Sequence, residues 1–290
     1  MSALQILAAA VLMSTGGAAI KLASLSSIEI AALRSLFAAF VLMLATRAWR
    51  GSWSPRAWAV GMTVSAMMIL FVAANRMTTA ANTIYLQSTA PLYVLLVAPR
   101  LLGEPVTRRD LAYMTALACG MLMFFVGTEP PVATAPRPVL GNVLAVTCGA
   151  TWAATIVGLR WLAAGRANGM KGPNGASGGS AGPALVIANL ATFAVGLPWL
   201  RSPFVISSAD WMTVAYLGLF QVGAAYVLFN AGVRKVPALE TSLLLLLEPV
   251  LNPVWAWVVH GEMPRTWALA GGAVIVGSTA VKTLVGSRRA

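Results

Sequence analysis

Apolar residues run through this chain in long blocks rather than in short alternating ones. Crossing about 30 Å of hydrocarbon takes roughly 20 apolar residues of helix. The blocks 3–22, 28–46, 56–75, 80–98, 109–127, 139–161, 184–200, 210–230, 238–259 and 266–285 therefore predict ten spans. Pro198 interrupts the end of the seventh. A lipid-facing segment has no water to satisfy its backbone, so it must be helical or part of a closed barrel. Period-two alternation is absent, which selects helices.

Part of the pattern is written twice. Residues 66–104 and 224–262, offset by 158, share twelve positions, among them Phe71/Phe229, Arg76/Arg234, Thr83/Thr241 and Pro91/Pro249. Both copies end in Gly-Glu, at Gly103–Glu104 and Gly261–Glu262. Five spans per copy is an odd number, so the second copy crosses the membrane in the opposite sense, the plan of many secondary transporters. The expected organisation is a first repeat over 1–128, a proline-rich joining loop over 129–138 and a second repeat over 139–290. A loop at 165–183 holds seven glycines with Ser, Asn and Pro, a flexible tether composition.

Composition agrees with lipid as the solvent. Hydrophobic residues make up 59% and charged ones 10%, against about 25% charge in a soluble domain. The net charge of +12 would point to nucleic acid in a soluble protein, but its distribution argues otherwise. Fourteen Lys and Arg fall on the side of both termini and five on the other, with Arg34 inside the second span. The positive-inside rule then places both termini in the cytoplasm. Cys119 and Cys148 lie inside apolar blocks and lack metal or redox spacing. Residues 3–20 are long enough to span and no basic segment precedes them, so a spanning helix is expected there rather than a cleaved leader.

The candidate chemistry concentrates on the ninth span. Glu248 sits near its centre, where a charge costs about 2.5–3.5 kcal/mol on insertion scales. It could titrate and couple transport to protons, meet a substrate ammonium group, or pair structurally with Arg34. Thr241, Glu248, Asn252 and Trp255, spaced seven, four and three, share one helical stripe. Pro249 and Pro253 beside it remove backbone donors and predict a bent turn. The aligned fourth span offers Thr83, Gln87 and Pro91, with Ala90 where the second copy has Glu248. Ser14 on the first span, Thr151 and Trp152 on the sixth and Tyr226 on the eighth complete the candidates. Small hydroxyls in spans usually bond their own helix, and buried Gln, Tyr and Met can equally be packing or interhelical bonds. For Glu104 and Glu262, hydrogen bonding at helix ends is preferred to ion binding. There is no catalytic constellation, no metal cluster and no cofactor motif.

Several of these segments resemble a known family. Ser14–Thr15–Gly16–Gly17–Ala18–Ala19–Ile20–Lys21 and Leu33–Arg34–Ser35 are similar to the opening of EamA-type members of the drug/metabolite transporter superfamily. So are Ala90–Pro91–Leu92 with Gly103–Glu104, and Leu247–Glu248–Pro249–Val250 with Gly261–Glu262. The resemblance implies an all-α membrane protein of ten helices, two inverted five-helix repeats around a central cavity, working by alternating access. It implies export of amino acids, including aromatic ones, or related metabolites across a bacterial inner membrane. Sugar-nucleotide or drug carriage, and a non-transporting scaffold subunit, remain open at this point. The expected partners are membrane lipid and a small-molecule substrate, with or without coupled protons, and no nucleic acid. A monomer or weak homodimer is expected.

Overall fold

The computed structural model describes residues 2–101, 107–126, 130–167, 181–233, 236 and 238–287. Gly103, Glu104, Glu129, Arg234 and most of the 165–183 loop lie outside them. The helices are α1 Ser2–Ser14, α2 Gly16–Leu22, α3 Ser27–Thr46, α4 Pro55–Met77, α5 Ala80–Gln87, α6 Ala90–Leu101 and α7 Arg108–Val126. They continue as α8 Pro138–Ala167, α9 Ala181–Gly196, α10 Ser208–Tyr216, α11 Ala225–Val233, α12 Ala238–Leu245, α13 Leu247–His260 and α14 Thr266–Ser287. Among the described residues only an isolated bridge, Val132 with Ala135, is extended pairing.

Nine helical stretches among the described residues are long and apolar enough to cross a membrane. The predicted fourth span is the exception, and it is divided into α5 and α6 at Ser88–Thr89. The predicted ninth is divided at the aligned place, Leu246, between α12 and α13. Proline explains both sites. Pro91 and Pro249 stand in the first turn of the restarting helix, where the missing N–H would have had no intrahelical partner. At the first break Leu86 O accepts the Thr89 N–H and hydroxyl, and α8 approaches the backbone closely. A Cβ on Gly149 of α8 would lie 3.0 Å from Leu86 O and 3.3 Å from Gln87 O.

Two further irregularities were not anticipated. The first span turns at Thr15, whose N–H and hydroxyl both return to Leu12 O. The eighth contains a π-helical stretch, Leu217–Ala224, between α10 and α11. Such insertions recur at functional sites. Here Gly218 packs directly on α3, where an added Cβ would collide with Arg34 O.

Packing follows the repeat. α4 lies on α8 as α1 lies on α11, and α4 lies on α9 as the π stretch lies on α3. The α3–α9 and α7–α14 pairs each join equivalent helices, as elements beside a two-fold axis would. α8 runs past the predicted end at 161, and there the Arg56 guanidinium sits 4.8 Å from the Trp161 ring centre. Bulky apolar side chains such as Phe40, Trp58, Leu122 and Val258 are exposed on the outer surface, as lipid contact requires.

Candidate functional site

The broken helices bring polar side chains together inside the bundle. The first-span break carries two consecutive glycines, and each is overlaid by an amide from the second repeat. A Cβ on Gly16 would sit 2.8 Å from Gln221 Nε2; one on Gly17 would sit 2.7 Å from Asn252 Oδ1. Gln221 Nε2 donates to Met13 O at 3.3 Å, leaving its carbonyl without a partner. Asn252 is 1% exposed, and neither atom of its amide has a hydrogen-bond partner. Orphaned buried amides cost about 1–3 kcal/mol, so this one needs an explanation in function or bound water.

The same break is fastened from two sides. Trp255 Nε1 donates to Ser14 Oγ at 2.9 Å, while Ser14 Oγ donates to Val11 O. Thr15 Oγ1 and the Tyr216 hydroxyl are 2.9 Å apart. Two sequence candidates, Ser14 and Trp255, are thus directly bonded.

Glu248 lies in the first turn of α13 and is half-buried, with no hydrogen bond or ion pair to any described residue. Tyr226 is within electrostatic reach of both Glu248 and Arg34. Arg34 is buried; its Nη2 donates to Met68 O at 3.2 Å, its guanidinium lies 6.0 Å from the Phe71 ring centre, and its Nε has no partner. The direct Arg34–Glu248 pair considered from sequence is therefore not formed here. Asn252, on the stripe with Glu248, turns toward the packed face beside buried Pro249, Pro253 and Ala256.

The other candidates divide. Thr241 is buried with an unpartnered hydroxyl. Gln87 Nε2 reaches Met67 Sδ at 3.7 Å, and Trp152 packs half-buried against the core. Thr83 bonds Thr79 O, and Thr151 bonds Thr147 O and Cys148 O, each within its own helix.

At the face opposite the termini is a second cluster that spacing did not reveal. Lys21 Nζ lies 2.8 Å from Glu262 Oε2, with both side chains nearly fully buried. Glu262 Oε1 accepts the Ala80 N–H at 2.5 Å, which caps α5 from the other repeat. Lys21 also donates to Thr78 O at 2.9 Å and to Thr134 O, and His260 Nε2 donates to Ala18 O at 2.8 Å. Glu262 thus bonds a helix end as expected, but the end belongs to another helix. Gly261, at φ 66°, makes the turn that brings it there.

A polytopic helical bundle with paired helix breaks and buried, unsatisfied polar groups has the build of a membrane carrier. In sequence, residues 1–126 and 139–284 each match the EamA-like transporter family. The chain belongs to that family, whose members are membrane transporters of small metabolites. In structure, 27 solved chains match. One of them, a crystal structure 21% identical in sequence, superposes with a TM-score of 0.65 over 99% of this chain and 98% of its own. At that identity the likeness shows the fold alone. No curated protein matches in sequence.

Proposed function

We propose that this protein is a secondary carrier that exports amino acids or related small metabolites by alternating access. In this account the α5–α6 pair is the tenth crossing, both termini are cytoplasmic and the membrane is a bacterial inner membrane. The observation that carries the proposal is a group of buried polar atoms left without partners, among them both amide atoms of Asn252, Gln221 Oε1, Thr241 Oγ1 and Arg34 Nε. Two of them, on Gln221 and Asn252, lie over Gly16 and Gly17 at the break in the first span. A scaffold would gain nothing from leaving such groups unsatisfied, whereas a substrate or its water can satisfy them in turn. Glu248 and Trp255, on one line of α13, supply a carboxylate and a ring beside them.

The fourteen-to-five bias of basic residues supports the orientation. Counterflow in proteoliposomes with labelled amino acids, nucleoside sugars and cationic drugs tests the function. Exchange of amino acids that the Asn252→Leu variant loses is the expected result. No exchange of any compound would refute it.

A further inference from the structure

The two repeats make the same contacts in most places and different contacts in one. α5 packs against α13, α14 and α2 as well as α8. Its counterpart in the second repeat, α12, packs on α1 and α14, and no comparable contact joins it to α6 among the described residues. Exposure follows: Tyr85 and Leu86 of α5 are buried, while the aligned Leu243 and Leu244 of α12 are half-exposed. Among the described residues α5, at the end of the bundle opposite the termini, is packed more fully than its counterpart α12.

Lys21 and Glu262 hold that end. Their ion pair joins the end of α2 to the end of α13, and the Glu262 carboxylate also ties down the first N–H of α5. Beside it Asn142 Oδ1 accepts from Thr78 Oγ1 at 2.8 Å and from Asn82 Nδ2 at 3.2 Å, fixing the α4–α5 junction to α8. Five helices from both repeats, α2, α4, α5, α8 and α13, are locked through a single buried carboxylate and its neighbours. A buried pair that loses one partner leaves an uncompensated charge, so the seal opens by separating these groups into water or not at all.

We propose that Lys21, Glu262 and the Ala80 N–H form the gate on the face opposite the termini, and that this structure is the state closed on that face. The proposal rests on the carrier function above, but its test needs no substrate. The test uses the full chain in vesicles, with Cys119→Ser and Cys148→Ala and one reporter, Asn252→Cys, which lies behind the gate. A membrane-impermeant maleimide is added from the face opposite the termini.

With the gate intact the reporter labels slowly. Glu262→Gln or Lys21→Met raises its labelling about tenfold, as a shift of ~1.4 kcal/mol between two states would, and Lys21→Arg restores protection. Should the neutral variants fail to fold, Glu262→Asp carries the test, because its shorter reach cannot hold Lys21 and the Ala80 N–H together. Unchanged labelling in folded Glu262→Asp or Glu262→Gln protein overturns the gate. A gate that behaves as stated, where the wild-type protein exchanges nothing, would fail only the transport proposal.

Discussion

Asn252 lies across Gly17 so closely that no side chain fits between them: an added Cβ would stand 2.7 Å from its Oδ1 and 2.8 Å from Ala80 Cβ. This contact joins the first-repeat break to the ninth span. It also explains why the break carries glycine where a helix would favour alanine.

Gly17→Ala is therefore expected to destabilise the protein by about 1–3 kcal/mol, as overpacking does. Gly277→Ala, where nothing lies within 4 Å, is expected to be neutral or to stabilise by up to about 1 kcal/mol through helix propensity. Thermal unfolding of both variants in one detergent gives the comparison. Equal melting temperatures would mean that Gly17 is not under steric demand.

Replacing Asn252 with leucine separates a structural role from a ligand-binding one. An amide with no partner contributes nothing that leucine of similar size would lose, and removing it relieves a penalty of about 1–3 kcal/mol. Asn252→Leu should keep or raise stability while substrate exchange disappears. A variant that unfolds more easily yet still exchanges would assign the amide to structure.

The Trp255–Ser14 hydrogen bond should be measurable as a coupling. Trp255→Phe and Ser14→Ala each remove it, and a double-mutant cycle is expected to return about 1 kcal/mol of interaction. Additive effects on unfolding would show the two side chains to be independent.

Glu248 has no ionic partner among the described residues, so Glu248→Gln should change stability by less than about 0.5–1 kcal/mol. Its effect belongs in transport: exchange slows and loses its dependence on pH. A variant with wild-type rate and pH profile would take Glu248 out of the mechanism.

The repeated Pro91 and Pro249 are the clearest case of structure readable in the chain. Proline removes the same donor wherever it stands, and both helices restart at it. Back-bonding by Thr83 and Thr151 was equally accessible, since a hydroxyl within a helix meets its own carbonyl first. Gln221 was missed because a single amide in an apolar block has no local pattern. The π stretch that carries it packs at Gly218 on the Arg34 backbone, a contact that no local pattern announces. Lys21 and Glu262 read as two unrelated interfacial charges, because nothing near either residue in sequence names its partner.

Apolar block length and the doubled proline frame indicated, from sequence alone, helices long enough to cross a membrane and the places where two of them break. Those properties depend on lipid thickness and on the covalent chemistry of single residues. Tertiary structure decided which charges meet and which amides are left without partners. These depend on groups such as Ser14 and Trp255, 241 positions apart, that only packing brings within reach of a hydrogen bond.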